Sequence, residues 1–119
     1  PWLEGLAAEA QTGQVLVLGD LNAWRREDPI RQFEAAGLID HDARKDGTHQ
    51  HSFLYGGQTG TLDYVFASPT LADRALHSQL WHINAGGPRG MTLPRPWLRT
   101  SDHDTVVVDF EFSQAAVSY

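Results

Sequence analysis

The chain contains no cysteine among its 119 residues. Disulfide bonds and thiolate metal sites are therefore excluded. Because cysteine usage is the usual sequence indicator of an oxidising or reducing compartment, its absence leaves the compartment open.

Basic residues are also scarce relative to acidic ones. Nine Lys and Arg residues against 15 Asp and Glu residues give a net charge of −6 with His neutral. A broad basic surface that binds nucleic acid by charge alone is therefore not expected. The acidic balance does not exclude a nuclease, because metal ligands are themselves acidic and a bound metal restores positive charge locally.

Long apolar runs are missing as well. The longest apolar stretches are far too short to cross a bilayer, so no membrane partner is expected. No signal peptide is visible. The chain opens on Pro1 and Trp2 rather than on an initiator methionine, and we expect it to be a piece of a longer protein.

The remaining composition is that of a globular protein. Hydrophobic residues make up 41% of the 119 residues, which is enough for a hydrophobic core. The length corresponds to one domain or part of one, and the sequence has no internal repeat and no interdomain linker. We therefore treat residues 1–119 as a single partial domain.

Helical and strand-like patterns alternate along the chain. Residues 14–18 (QVLVL) form a continuous apolar run that predicts a strand buried on both faces. A helix is predicted from Asp28 as N-cap, with Pro29 at its first position, to a stop at Gly37. The other predicted elements are helices over 3–10 and 68–75, strands over 51–55, 61–67, 79–84 and 105–112, a hairpin turn over 56–60, and loops over 41–49 and 85–99.

A carboxylate and an amide follow the first predicted strand. Asp20 and Asn22 come shortly after the apolar run, with one residue between them. In extended backbone both side chains face the same side, at a strand end where open α/β sheets commonly place active sites. One interpretation is a carboxylate that binds metal or orients water, beside an amide that holds a phosphate oxygen. The other is a capping turn, since Asp and Asn both favour turns.

An Asp–His pair precedes the last predicted strand. Asp102 and His103 lie at the rim of an apolar element, where an imidazole can donate to a phosphate oxygen or move a proton near neutral pH. The same pattern recurs at residues 40–42 without a following strand. We interpret that second triplet as a solvated loop.

Asp63 lies inside an apolar run, where an unpaired carboxylate is costly. A partner must therefore satisfy it, and an imidazole is a suitable one. An Asp that fixes the tautomer and orientation of a His recurs in many hydrolases. The position of Asp63 thus predicts a hydrogen-bond partner, such as the imidazole of a histidine.

The other histidine and tryptophan side chains have structural interpretations. No third ligand lies near His49 and His51 in the sequence, so we do not expect this pair to hold a metal. Packing or surface roles are expected for His77 and His82, and core or loop-anchor roles are expected for Trp24, Trp81 and Trp97. Base stacking by one of the tryptophans is an open alternative.

Three of these motifs occur in an order that resembles one superfamily. GDLN at 19–22, LDY at 62–64 and SDH at 101–103 are similar to the C-terminal half of the endonuclease/exonuclease/phosphatase superfamily, which includes pancreatic-type deoxyribonucleases and abasic-site endonucleases. The stretches 19–30, 57–68 and 81–84 resemble the large bacterial extracellular nucleases more closely. Those enzymes cleave DNA, and often RNA, without strong sequence preference.

The resemblance implies a role for each matched residue. Asp20 matches the Asp that activates or orients the attacking water and contacts metal, and Asn22 matches the amide that steadies Asp20 and the phosphate. Asp63 matches the carboxylate that pairs with the catalytic His. Asp102 matches a metal-proximal carboxylate, and His103 matches the His that stabilises charge on the phosphate. The implied cofactor is Mg²⁺, or Mn²⁺ or Ca²⁺ in its place.

Three further positions belong to the same comparison. Ser52 and Phe53 match a strand that packs near the site, and Thr105 stands where these proteins usually have Pro. Asp104 occurs often in the extracellular group, without a role that the resemblance defines.

The family's N-terminal half, which carries a metal-binding Glu, has no match in this chain. The implied fold is α/β (α+β), half of a four-layer αββα sandwich, with one mixed sheet and helices on its outer face. The inner sheet face would normally be covered by the other half. We therefore expect the missing half as a partner, or self-association through the uncovered face.

The resemblance implies a metal-dependent phosphodiesterase that hydrolyses nucleic acid by in-line attack of water. It also implies that the enzyme is secreted and that this piece alone is weakly active or inactive. Two alternatives within the same superfamily are a phosphomonoesterase and a lipid-headgroup phosphodiesterase. A catalytically silent binding domain is the alternative outside enzymes.

Overall fold

The computed structural model describes residues 5, 8–9, 12–41, 50–87 and 100–112. Of the helix predicted over 3–10, only Gly5, Ala8 and Glu9 are described, and all three are helical. Most of the two predicted loops over 41–49 and 85–99 lies outside the described residues. The described elements, in chain order, are β1 (Leu16–Asp20), α1 (Asp28–Ala35), β2 (Ile39–Asp40), β3 (Phe53–Tyr55), β4 (Gln58–Gly60), β5 (Asp63–Ala67), α2 (Pro69–Ala72), β6 (Ala75–Trp81) and β7 (Thr105–Phe110). None of these helices is long and apolar enough to cross a membrane.

The predicted mixture of helices and strands is confirmed. In the described part of the chain the strands pair in three antiparallel sheets, β1-β5-β2, β3-β4 and β6-β7, and they do not join in one mixed sheet. Strand β5 is central to the first sheet, with β1 and β2 antiparallel on either side of it. The other two sheets contact the first sheet through side chains and individual hydrogen bonds. In one of these, the Ser78 hydroxyl donates to the His41 carbonyl at 2.5 Å.

The hairpin is tighter than the sequence suggested. Gly56 and Gly57 both have positive φ, 57° and 82°, as a two-residue turn that matches strand twist requires. Chain reversal is complete after these two residues, so residues 58–60 form strand β4 against β3 instead of belonging to the turn. The predicted pairing of 51–55 with 61–67 is therefore wrong, because β5 pairs with β1 and β2.

The core lies between helix α1 and one face of the first sheet. Ile30, Tyr64 and Phe66 are each at most 1% exposed, and Phe33 of α1 stacks on Phe66 with ring centroids 5.3 Å apart. The Tyr64 hydroxyl donates to a carbonyl of the loop after β1, that of Ala23, at 2.9 Å. This bond fixes the segment that leaves Asp20.

Helix α1 follows its sequence signals with one change. Pro29 lies in the first turn, and Gly37, with φ 84°, follows the helix end. The N-cap is Glu27 and not Asp28, which is the first helical residue. The Glu27 carboxylate accepts a hydrogen bond from the Trp24 N–H at 3.0 Å, so it serves the preceding turn and not the helix.

The expectation that the first strand is buried on both faces is wrong for this chain. Val17 packs against the core, whereas Leu16 is 43% and Leu18 is 63% exposed. Alternation along β1 places Leu16, Leu18 and Asp20 on one side and Val17 on the other. No element of the described residues covers Leu18, and this uncovered side carries Asp20 at its end.

The triplet at 40–42 was also misassigned. Asp40 is part of strand β2, is only 8% exposed and forms an ion pair with Arg25 at 2.5 Å. His41 packs edge-on against Phe110 with ring centroids 5.5 Å apart. Asp40 and His41 are thus structural and not solvated, because Asp40 pairs with β5 in strand β2 and the His41 N–H donates to the Val65 carbonyl of β5 at 2.8 Å. Asp42 lies outside the described residues.

Candidate active site

The ends of two paired strands place two carboxylates together. In the β1–β5 register Asp20 lies directly opposite Asp63, at the last pair of the ladder. Side chains of directly opposed residues share one face of a sheet. Like charges in such a pair repel, so this arrangement lowers stability unless a positive group lies between them.

His103 supplies a nitrogen donor beside this pair. Its Nδ1 lies 2.7 Å from Asp63 Oδ2, and the two side chains are 21% and 19% exposed. An ionised carboxylate only accepts, so Nδ1 carries a proton in this hydrogen bond, and Nε2 is the ring nitrogen that Asp63 does not engage. The hydrogen bond that the position of Asp63 predicted is therefore confirmed.

The three side chains also fit a cation. One ligand atom from each of Asp20, Asp63 and His103 lies within 4.8 Å of the others. Two carboxylates and an imidazole suit a divalent metal, with the oxygens preferred by Mg²⁺ and the imidazole by transition metals such as Mn²⁺ or Zn²⁺. Asp102, predicted as a metal ligand, is exposed and is not one of these three. Its metal role stays a prediction.

Asn22 is not placed by extended backbone. It lies beyond the end of β1 with φ 50°, in the left-handed region, and its N–H donates to Asp20 Oδ1 at 2.9 Å. The argument from two-residue spacing is therefore wrong, and the capping turn is what forms. The turn orients the Asp20 carboxylate, and a contact from the Asn22 amide to phosphate stays a prediction.

Ser52 ties the neighbouring segments to the site. It is fully buried, and its hydroxyl accepts from the Leu62 N–H at 3.0 Å and from the Asp63 N–H at 3.2 Å. Its carbonyl accepts from the Asp104 N–H at 2.7 Å. Through its hydroxyl and its carbonyl, Ser52 thus links the start of β5 to the segment that carries His103. This fits the expectation that Ser52 and Phe53 pack near the site.

Phe53 positions the imidazole from the other side. Its ring centroid lies 4.6 Å from that of His103, and the two residues form an antiparallel bridge. The backbone N–H of His103 also donates to the Ser101 hydroxyl at 3.0 Å. The ring is therefore held between an aromatic face and the Asp63 carboxylate.

Asp104 is a functional neighbour that sequence reasoning left without a role. It is 2% exposed, and its carboxylate accepts from the N–H groups of Asn84 and Ala85 at 2.7 and 2.9 Å. Burial by itself raises the pKa of Asp104, but these backbone hydrogen bonds and the His82 ring outweigh it and hold the pKa below its ordinary value. The carboxylate is therefore ionised and fixes residues 82–85.

The segment held by Asp104 also contacts the backbone of His103. Asn84, itself 4% exposed, donates from Nδ2 to the His103 carbonyl at 2.9 Å. The Nδ1 atom of His82 lies 2.8 Å from a carboxylate oxygen of Asp104. This second Asp–His pair was not part of the surface or packing role expected for His82. No side-chain pattern in the sequence indicates the role of Asp104, because its partners include backbone N–H groups about 20 positions earlier.

The remaining aromatic and imidazole groups have simple placements. His77 is exposed, in agreement with a surface role. Trp81 is 51% exposed at the end of strand β6, so the expectation that it is a core or loop anchor is wrong. The His51 ring lies 5.2 Å from that of His82, and the pair has no third metal ligand among the described residues. His49 and Trp97 lie outside the described residues.

One comparison with known proteins found a match. The family model described as Endonuclease/Exonuclease/phosphatase family matches residues 3–103, which is most of the chain and includes Asp20, Asp63 and His103. No curated protein and no solved structure matches the chain.

Proposed function

Because the chain belongs to the endonuclease/exonuclease/phosphatase family, whose members are generally metal-dependent hydrolases of phosphate esters, we propose that it hydrolyses phosphodiesters in nucleic acid. One observation carries this proposal: the Asp63–His103 hydrogen bond of 2.7 Å lies beside the Asp20 carboxylate. Together these groups supply an oriented imidazole and a carboxylate for water, which ester hydrolysis needs.

The proposed chemistry divides among the side chains. Asp63 holds the His103 ring in one tautomer and orientation, so that Nε2 faces the phosphate. A proton on that nitrogen donates to a phosphate oxygen as charge develops in the transition state. Asp20, oriented by the turn at Asn22, accepts the proton of the attacking water or positions it for in-line attack.

A divalent cation fits the same carboxylates. Asp20 offers an exposed oxygen, and the Asp63 carboxylate has lone pairs beyond the one that His103 occupies. When bound, such a cation polarises the phosphate and neutralises its charge. Mg²⁺ is the proposed ion, with Mn²⁺ or Ca²⁺ as substitutes, and Asp102 is a proposed further ligand from the segment next to His103.

Metal binding should be visible as a change in stability. The opposed Asp20 and Asp63 repel without a cation, so we expect Mg²⁺ or Mn²⁺ at about ten times its Kd to raise Tm by about 5 °C. Asp20→Asn should raise the metal-free Tm and abolish the metal-induced shift. Differential scanning fluorimetry measures both changes.

The control for this measurement is Asp109→Asn, which removes an exposed strand carboxylate outside the cluster. It should keep the metal-induced shift. A shift that persists in Asp20→Asn would place the cation elsewhere.

Within the family, the proposed branch is the bacterial extracellular nucleases, and secretion is proposed with it. Support comes from the similar stretches 19–30, 57–68 and 81–84 and from the aromatic side chains beside His103. A phosphomonoesterase or a lipid-headgroup phosphodiesterase would use the same dyad, so the substrate assay below distinguishes them.

We also propose that the chain is the C-terminal half of its catalytic domain and that the other half, or a second copy, covers β1. The exposed Leu16 and Leu18 side chains support this, because they share a face with Asp20 and form an apolar surface next to the site. The family's Glu ligand, which has no match in the sequence, would come from that other half.

The test is hydrolysis of three phosphate esters with Mg²⁺ or Mn²⁺: plasmid DNA, p-nitrophenyl phosphate and a lipid headgroup diester. We expect little or no cleavage by the 119-residue chain and DNA cleavage by the chain joined to the sequence encoded upstream of it. Robust DNA cleavage by the short chain, abolished by Asp20→Ala, would contradict the proposed incompleteness. Preference of the longer chain for either of the other two esters would contradict the proposed nuclease.

A further inference from the structure

Beside the dyad lies a row of aromatic side chains, which we call the aromatic row: Trp24, Phe53 and Tyr55. The centroids of Trp24 and Phe53 are 6.4 Å apart, and those of Phe53 and Tyr55 are 6.3 Å apart with planes only 5° from parallel. Phe53, in the middle, is also the residue that packs on His103 at 4.6 Å. The row is therefore continuous with the proposed active site.

Backbone geometry explains how the row forms. Phe53 and Tyr55 lie two apart on β3 and therefore on the same face. Gly60 pairs with Phe53 across the hairpin and has no side chain on that face. Trp24 occupies the space, since a Cβ at Gly60 would lie 2.3 Å from its Cζ3 atom and 2.5 Å from its Cε3 atom.

The outer members of the row stay open to solvent. Trp24 is 38% and Tyr55 is 63% exposed, although large aromatic side chains bury well in cores. Trp24 lies on a loop fixed by the Tyr64 hydrogen bond to Ala23, and part of its surface is accessible to solvent. A rigid, exposed aromatic surface next to a phosphate-handling imidazole has the chemistry of a stacking platform.

We propose that the aromatic row stacks the unpaired bases that flank the phosphodiester to be cleaved, so that the chain binds single-stranded nucleic acid through base faces. This deepens the nuclease proposal and rests on it for the location of the phosphate. Stacking suits a chain with a net charge of −6, since base faces are uncharged and every base has one. The expected recognition is therefore tolerant of sequence and dependent on unpaired bases.

The test measures binding and does not require turnover. The probes are a fluorescein-labelled hexathymidylate and a hexamer of the same length and label in which every base is replaced by a tetrahydrofuran, both in Ca²⁺, with fluorescence anisotropy as the readout. Trp24→Ala and Tyr55→Ala should each weaken binding of the hexathymidylate by about 5- to 100-fold. Binding of the baseless hexamer should be weak in the parent chain and unchanged in both variants.

Two further variants separate stacking from general damage. Gly60→Ala keeps every aromatic residue but displaces the Trp24 ring, so it should reproduce the loss seen in Trp24→Ala. Trp24→Phe should retain most of the affinity, because a flat ring remains. The matched control is Trp81→Ala, which removes an exposed tryptophan (51%) that is not part of the row and should leave affinity within twofold.

The outcomes distinguish the platform from the nuclease proposal. Equal binding of the two probes by the parent chain, or full affinity in both Trp24→Ala and Tyr55→Ala, would overturn the platform even if DNA is cleaved. Loss of hexathymidylate affinity in these variants supports the platform even if the longer chain prefers one of the other two esters to DNA, a result that would overturn only the nuclease proposal. Tyr55→Ala keeps the test valid if Trp24→Ala does not fold, since Tyr55 is mostly exposed.

Discussion

Replacing Asp63 by Asn should lower the turnover of the active enzyme by roughly 10³-fold, with KM changed by less than about threefold. The Asp63 carboxylate accepts from His103 Nδ1 at 2.7 Å and fixes which nitrogen faces the phosphate. An amide has almost the same shape but no charge, and it can present N–H₂ to the ring and so favour the wrong tautomer. Ground-state contacts to substrate remain, so the loss falls on kcat.

Steady-state kinetics on a DNA substrate measure this effect, with the catalytically neutral Asp109→Asn as the matched carboxylate control. His103→Ala should be as impaired as Asp63→Asn, and the double variant should be little worse than either, because the two residues act as a unit. Near-normal turnover of Asp63→Asn would remove the pair from the mechanism, and additive losses would show that each residue acts alone.

Replacing Asp104 by Ala should lower the free energy of unfolding by about 3 kcal/mol, a large part of the stability of an ordinary small domain. The substitution removes the acceptor of two backbone N–H groups, those of Asn84 and Ala85, in a place where the side chain is 2% exposed. It also frees the His82 ring. Urea unfolding should show a lower midpoint with an unchanged slope, whereas Asp109→Ala should leave the midpoint nearly unchanged.

The same residue gives a pH dependence with a definite sign. Its hydrogen bonds lower the pKa of Asp104 in the folded state despite the opposing effect of burial, so the folded chain binds the proton less readily than the unfolded chain. Its contribution is complete above the ordinary Asp pKa of about 3.9 and is lost as pH falls through the lower folded pKa. The difference in stability between the parent chain and Asp104→Ala should therefore shrink in acid. A difference that stays constant from neutral pH to pH 3 would contradict this origin.

The sequence identified Asp63 and His103 because their signal is local. A carboxylate inside an apolar run needs a partner, and the chain offers few imidazoles beside apolar strands. The role of Asp104 was not accessible in the same way. Its partners are backbone N–H groups of residues 84–85, about 20 positions earlier, and side-chain types do not reveal which backbone donors face a carboxylate.

The predicted boundaries and burial of the strands were wrong for a related reason. Three of the five residues 56–60 are glycines, which predicts a turn over the whole segment, but the positive φ of Gly56 and Gly57 completes the reversal early and Gln58 pairs with Tyr55. Continuous apolarity in residues 14–18 likewise predicted burial on both sides. Burial of Leu18 requires a second surface that packs against it. The residue pattern of one strand does not specify whether that surface belongs to the same chain.

The order of events in folding follows from how far apart the site residues lie. The β3–β4 hairpin closes over two glycines, whereas the Asp63–His103 bond joins residues 40 positions apart and needs the intervening β6 segment in place. Closing a long loop costs more entropy than closing a short one, so distant contacts form late. The β3–β4 hairpin should therefore form early during refolding, and the Asp63–His103 hydrogen bond should form only at a late step.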